Sequence, residues 1–351
     1  MLIGIDANEA NVANRVGSNQ FAYQILSQLY DQDKTNQYLI YLKDQPLSSL
    51  PAARHSWQYR ILKPGFLWTQ WRLPLSLYFD QPKPDVFLTL GHYAPRFSPI
   101  PTMICIMDLA FLKFPQTFRR SDLWQLKLWT AYSVKQAKHI FAISEATKKD
   151  LITAYSVPER NVSVTYPGVD RLKTAGQSLI AGKYLLYVGT LQPRKNLDAL
   201  IKAFTSITPL RCDLVIAGKL GWKYKQRPTP NVKYLGYVSN DKLGALIKSS
   251  VGLILPSLYE GFGIPVVQAM ALGTPVLVSR NSSLPEIVGD CGLYIEPPFG
   301  HEEIKQGIIQ LLSLPKAAKQ SQLIAAKQKS MNFSWKKSAQ KILEVINERT
   351  L

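Results

Sequence analysis

Apolar positions along this chain fall into two alternating patterns. Short apolar runs, each closed by a glycine, a proline or a polar turn, occur at Leu2 to Asp6, Tyr38 to Leu42, Asp85 to Leu90, Thr102 to Met107, His139 to Ile143 and Val162 to Thr165. They recur at Tyr184 to Val188, Cys212 to Ala217, Val232 to Leu235, Val251 to Leu255 and Pro275 to Val278. Such runs read as strands buried on both faces of a parallel sheet. Between them lie segments with helical spacing, as in Leu197, Leu200, Ile201 and Phe204, where i, i+3, i+4 and i+7 make one apolar stripe. Further helices are predicted from about Asn19 to Tyr30, Ser121 to Lys138, Ser144 onward, Pro265 to Leu272, Glu302 to Leu312, Lys316 to Lys329 and after a Ser334 cap. Strand and helix in regular alternation predict an α/β protein with parallel sheets. The 351 residues are enough for two domains of ordinary size. The boundaries predicted are 1–170, 171–332 and a final helix over 333–351, with 171–182 as a hinge containing Gly176 and Gly182.

The stretch from Pro256 to Glu286 carries most of the chemistry. Glu260-Gly261-Phe262-Gly263 links the strand ending at Leu255 to a helix that Pro265 is suited to open and Gly273 to close. Glycines there let backbone N–H groups approach a ligand, and a helix N-terminus favours an anion such as phosphate. A carboxylate beside a phosphate is repelled unless it accepts hydrogen bonds from neutral hydroxyls, which sugars supply. Glu260 is therefore either a sugar-binding acid or a surface residue in a glycine turn. Gln268 is flanked by Val266, Val267, Ala269, Met270 and Leu272, and a polar group in such company needs a partner. Arg194 and Lys195 precede the helix that Asn196 is suited to cap. Two cations at the positive end of a helix call for an anion.

Glu260, seven residues and then Gln268, within Glu-Gly-Phe-Gly-Ile-Pro, resembles the two-glutamate signature of the family 4 retaining glycosyltransferases. Ala-Leu-Gly-Thr-Pro-Val-Leu-Val-Ser, Pro285-Glu286 and Gly289-Asp290-Cys291-Gly292 are similar to the same family's pattern. The resemblance implies a GT-B fold: two Rossmann-like, doubly wound domains facing a cleft, with the C-terminal helix crossing back to the first. It implies retaining, hexosyltransferase-like transfer from a nucleotide-diphospho-sugar co-substrate to a glycan or lipid-linked acceptor, with no cofactor and no metal. Glu260, Lys195, Arg194 and Asp108 are its candidate catalytic residues. Gly17, Gly261, Phe262, Gly263, Ile264 and Gln268 join the first three around the donor. Gln268 stands where the family has its second glutamate, the ribose contact. His92 and Asp108 are placed on the acceptor side, and Met107 replaces the histidine of the family's His-Asp pair. A noncatalytic partner subunit that binds a nucleotide sugar or glycan is the alternative, and a sugar-nucleotide epimerase a further one.

Composition narrows the setting. Cys105, Cys212 and Cys291 sit singly in apolar runs, giving neither a disulfide framework nor a metal spacing. Asp6 and Glu9 come too early for a signal peptide, and no apolar run approaches membrane-span length. A cytoplasmic protein is expected. The formal net charge of +18 points to anionic partners. No zinc-finger, RNA-binding or basic-zipper pattern supports nucleic acid, so the inner face of an anionic membrane is the expected partner beyond the donor. Trp57, Tyr59, Phe66, Trp68, Trp71, Tyr78 and Phe79 crowd one proline-punctuated region. Core packing is the commoner use of such rings, with stacking on sugar or lipid the other.

Overall fold

The computed structural model describes residues 1–169, 172, 174, 180–209 and 212–350. Gly176 of the expected hinge lies outside them. The chain divides into two compact units: Met1–Leu109, Ser121–Gly168 and Ser334–Leu351 form the first, and Ala110–Arg120 with Val169–Phe333 form the second.

In the first unit β1 (Leu2–Asp6), β2 (Gln37–Leu42), β3 (Trp57–Ile61), β4 (Val86–Thr89), β5 (Thr102–Ile106), β6 (His139–Ala142) and β7 (Val162–Val164) build one sheet. Its order is β3-β2-β1-β4-β5-β6-β7, and every pair is parallel. The second sheet uses β8 (Tyr184–Val188), β9 (Asp213–Ala217), β10 (Val232–Gly236), β11 (Gly252–Leu255), β12 (Val276–Ser279) and β13 (Leu293–Ile295). Its order is β10-β9-β8-β11-β12-β13, again wholly parallel. Both sheets are doubly wound. In each, the chain moves outward from the first strand, returns, and continues on the other side. The loops after β1 and β4, and after β8 and β11, therefore leave neighbouring strands in opposite directions, which opens a crevice at the strands' carboxyl ends.

The C-terminal helix Trp335–Thr350 belongs to the first unit, as expected. Trp335 meets Phe21 edge-on at 6.0 Å, Ser338 Oγ donates to the Tyr166 carbonyl, and Arg349 Nη1 donates to Asn161 Oδ1 at 3.2 Å. A methyl group at Gly168 would lie 2.1 Å from the Trp335 backbone nitrogen, so only glycine lets the helix seat there. The segment Ala110–Arg120 packs within the second unit rather than the first. Trp222 Nε1 donates to Thr117 O at 2.7 Å, Lys223 Nζ donates to Gln116 O at 3.0 Å, and the Phe118 and Trp222 rings lie 5.7 Å apart.

Several elements go beyond the sequence pattern. Strand β3 mixes Gln and Arg among its apolar residues because it is a sheet edge, and β13 is only three residues long. The helices Leu73–Phe79 and Asn240–Ser249 were likewise not foreseen. Pro265 is the second residue of its helix, which begins at Ile264. Among the clustered aromatics, Trp57 and Trp68 are core residues, whereas Phe66, Trp71, Tyr78 and Phe79 are exposed. The core reading thus fails for these four, because the short helix carries apolar residues on both faces and buries one.

Where β2 begins, the buried Asp33 accepts from Tyr38 Oη at 2.5 Å, Asn36 Nδ2 at 2.8 Å and the Thr35 amide at 2.9 Å. Burial alone would raise its pKa, but the bonds from Tyr38, Thr35 and Asn36 outweigh it and hold the carboxyl at about 2. A folded-state pKa below the unfolded value of 3.8 means this stabilisation is complete above pH 3.8 and fades as pH falls toward 2. Asp33→Ala should cost roughly 2 to 4 kcal/mol at neutral pH by stranding several buried donors. The difference from wild type should shrink in melts run on the acid side of that window.

Candidate functional site

At the carboxyl edge of the second sheet, β8 and β11 are hydrogen-bonded neighbours, so the loops that follow them meet. The first loop ends in a tight turn, Pro193–Lys195, ahead of the helix Leu197–Thr205. The second runs from Pro256 to Gly263 and enters the helix Ile264–Ala271. This adjacency brings three charged side chains together: Lys195 Nζ donates to Glu260 Oε1, and Arg194 Nη1 lies 3.8 Å from Glu260 Oε2.

Glu260 and Lys195 are both buried. Burial alone would raise the Glu260 pKa; the charges of Lys195 and Arg194, with hydrogen bonds from Lys195 and Ser257, outweigh it and hold the carboxylate ionised below its usual range. The surrounding chain fixes the acid from every side. Ser257 Oγ donates to Oε1 at 2.6 Å, the Glu260 amide donates to Ser282 Oγ at 2.9 Å, and Ser283 Oγ donates to the Glu260 carbonyl at 3.0 Å. Arg194 Nη1 ties the two loops again by donating to the Tyr259 carbonyl at 2.8 Å. Beneath them Tyr187 is kept protonated, first by burial and then by the Glu260 charge.

The anion expected beside Arg194 and Lys195 is therefore, within the protein itself, Glu260. A surface glutamate is ruled out by its burial. Asn196 does not cap its helix as expected: its φ is 59°, and its Nδ2 donates to the Phe299 carbonyl at 2.8 Å. Gly263 has φ 98°, and a β-carbon there would also press on Leu284 at 3.0 Å, so glycine sets the entry into the Ile264 helix. The first turn of that helix leaves backbone N–H groups without intrahelical acceptors. Gly261 is buried and Ile264 half-buried. Phe262 turns its ring inward against Phe333, 5.3 Å away, so at this edge it offers backbone rather than a ring. Gln268 is buried on the same helix. Ser257, Asn281, Ser282 and Ser283 were not singled out from sequence. Their small polar side chains look like ordinary turn formers until the fold wraps them around Glu260.

The first unit has a different edge. Gly17 precedes the helix Ser18–Gln32 with φ 54°. His92 follows β4, and its Nε2 accepts from the Met107 amide at 3.3 Å. That contact places the proton of the neutral ring on Nδ1, which is buried and has no partner among the described residues. Burial lowers the His92 pKa, against the raising charges of Asp108 and Glu9, so the ring is neutral at physiological pH. Met107 thus meets His92 through its backbone amide. Asp6 ends β1 nearby; loss of water raises its pKa to about 6, against lowering bonds from Asn8. Among the described residues no group of three His, Cys, Asp or Glu side chains is arranged to hold a metal ion, and no helix is long and apolar enough to cross a membrane.

Two doubly wound parallel-sheet units, with the C-terminal helix returned to the first, define the GT-B fold. Solved structures share it along the whole chain: sucrose-phosphate synthase from Thermosynechococcus elongatus superposes with a TM-score of 0.79 at 15% identity, covering 99% of this chain and 98% of that one. HepE of Anabaena, solved in complex with UDP and glucose, gives 0.74 at 17% identity, covering 99% of each chain. The family model for glycosyl transferases group 1 matches residues 174–330, and that for Glycosyltransferase Family 4 matches 20–171. With the two models together spanning most of its length, the chain belongs to the family 4, group 1 glycosyltransferases. Among its relatives, the O-antigen chain mannosyltransferase B of Escherichia coli is 32% identical over 217 residues, 54% of this chain and 56% of the relative. The chain spans little more than half the length of the curated relatives it matches first.

Removing Lys195 tests the charge cluster. Lys195→Met leaves Glu260 buried with its closest counter-charge gone, and should cost about 3 to 5 kcal/mol. With the burial effect less opposed, the folded-state Glu260 pKa should rise above its ordinary 4.5. A raised pKa favours the protonated folded state, so the variant's melting temperature should fall relative to wild type as pH increases. A pH-independent gap between the two would show that Glu260 is not what Lys195 neutralises.

Proposed function

We propose that this protein is a retaining glycosyltransferase that moves a sugar from a nucleotide-diphospho-sugar to a hydroxyl of a glycan or lipid-linked acceptor in cell-surface polysaccharide synthesis. The observation that carries the reading is the cluster of buried Lys195 and Glu260 with half-buried Arg194 beside a glycine-opened helix N-terminus, at the switch point of a sheet matched by the group 1 model. The mannosyltransferase names of its relatives make a hexose, mannose first, the donor sugar to test.

In this reading the donor diphosphate lies against Arg194, Lys195 and the amides around Gly263. The sugar C1–O bond to phosphate breaks, and the acceptor oxygen bonds C1 on the same face through an oxocarbenium-like state. The acceptor's proton leaves with the phosphate oxygen. Cations and amides fixed before the reaction stabilise the charge that develops there without reorganising. Glu260 orients sugar hydroxyls while keeping Lys195 charged and in place. His92 Nδ1–H and Asp108 serve the acceptor side. No cofactor enters, and Arg194 and Lys195 take the part of a metal. The net charge of +18 favours a peripheral, cytoplasmic-face position on anionic membrane, where a lipid-linked acceptor would be found.

Incubation with GDP-mannose, UDP-glucose and related donors, followed by detection of released nucleoside diphosphate and of glycosylated product, tests the activity. Absence of both transfer and donor hydrolysis across the panel would leave only a binding role. Turnover should persist in chelator; a collapse restored by Mn²⁺ or Mg²⁺ would overturn metal independence. A carboxylate accepts from both ribose hydroxyls, whereas the Gln268 amide has one oxygen acceptor. Gln268→Glu should therefore tighten nucleoside diphosphate binding by about tenfold, roughly 1 to 2 kcal/mol. Unchanged calorimetric affinity in a folded variant would remove residue 268 from the ribose site.

A further inference from the structure

Exposed aromatic rings are unevenly distributed on this protein. Among the described residues, Tyr237 is the only large exposed aromatic in the second unit; all the others belong to the first and lie between Phe66 and Trp124. The helical stretch formed by Trp68–Arg72 and Leu73–Phe79 buries Trp68, Leu73 and Leu77 in a core cluster with Leu39, Tyr41 and Phe87. Its outer face is apolar as well. Trp71, Leu75, Tyr78 and Phe79, spaced i, i+4, i+7 and i+8, are exposed, with Phe79 at 76%, and Phe66 just before them is at 74%. A helix that is apolar all round is normally covered on both sides.

The surface continues beyond this helix. The Arg96 amide donates to Thr69 O at 2.9 Å, and its guanidinium lies 5.2 Å from both the Phe97 and Tyr132 rings. The Phe97 amide donates to Tyr132 Oη at 2.7 Å. Tyr132 shares one face of the helix Arg120–Gln136 with the exposed Leu128 and Trp124, at i, i−4 and i−8. Three segments thus form a connected band of rings and leucines.

Charge selects what covers it. Across Pro64 to Phe79, Ala94 to Ser98 and Ser121 to Gln136 the cations are Arg72, Arg96, Lys127 and Lys135, and the only carboxylate is Asp122. A second copy would bring the same cations and the same +18 net charge against them. Single-stranded nucleic acid would use the rings and cations but gains nothing from Leu67, Leu75 and Leu128. An anionic bilayer uses all three features, since rings settle at headgroup depth, leucines enter the acyl boundary, and Arg and Lys meet phosphate. We propose that this band is the membrane seat of the protein, inserted shallowly into an anionic lipid surface. The proposal rests on the membrane position argued under Proposed function and assigns it to one surface.

The test uses the full chain with vesicles of phosphatidylglycerol and phosphatidylethanolamine, and with phosphatidylcholine vesicles as the neutral control. Wild-type protein should float with the anionic vesicles, and lipids brominated in the acyl chain should quench its tryptophan fluorescence. Trp71→Ser/Phe79→Ser/Phe97→Ser should weaken vesicle partition by about tenfold or more while leaving UDP and GDP affinity and the melting temperature unchanged. Should that variant melt early, Phe66→Ser/Phe79→Ser, at the two most exposed of these rings, is predicted to weaken partition in the same direction. Wild-type binding that both variants retain in full would overturn the seat and leave the membrane position standing. Failure of wild-type protein to bind either vesicle overturns both. Self-association abolished by the substitutions, or displacement of vesicles by oligouridylate, would assign the band to a second copy or to nucleic acid instead.

Discussion

A carboxylate removed from water is tolerated only where positive charge and hydrogen-bond donors surround it, and Glu260 places that demand at the centre of the second unit. Lys195 and Arg194 answer it from the loop after β8, and Ser257 from the loop after β11. Neither loop can drift without leaving charge uncompensated. The doubly wound order of the sheet makes the arrangement possible, because it puts β8 beside β11 although more than sixty residues separate Lys195 from Glu260. Ser282 and Ser283, after β12, then fix the backbone of the acid itself. The site is rigid because its electrostatics and its topology require the same loop positions.

The two units carry opposite chemistry on equivalent edges. The second places two cations and a helix N-terminus after β8 and β11. The first gathers Asp6, Glu9, a neutral His92 and Asp108 after β1, β4 and β5, with His92 oriented by the Met107 backbone. One edge suits the charge of a phosphate. The other suits hydroxyl groups that need acceptors and a neutral donor. One architecture used twice carries two different sets of charged and polar groups at its loop ends.

Most of the strands were legible because a strand buried on both faces has no choice but to be apolar, and β1, β8 and β11 read directly from their composition. Glu260, Lys195 and Arg194 were legible as candidates through motif and spacing. Their pairing was not, since it depends on which strands become neighbours. Asn196 has the composition of a helix cap, but the Phe299 carbonyl, a tertiary partner more than a hundred residues away, claims its side chain. The region from Trp57 to Phe79 misled for a related reason. Aromatic content says that rings must be sheltered from water, while the fold decides which of them the protein shelters itself.

The connectivity of the units has a consequence for how the chain is made. The polypeptide passes between them four times, at residues 109–110, 120–121, 168–169 and 333–334. The first unit is therefore complete only once residues beyond 333 have been added. Until the residues beyond 333 have left the ribosome, Phe21 and the Tyr166 carbonyl lack the Trp335–Thr350 helix that covers them. By then the whole of the second unit has emerged, so the first unit cannot be completed before the second has been made. During synthesis the helix Ser18–Gln32 stays without its Trp335–Thr350 partner until the residues beyond 333 are made.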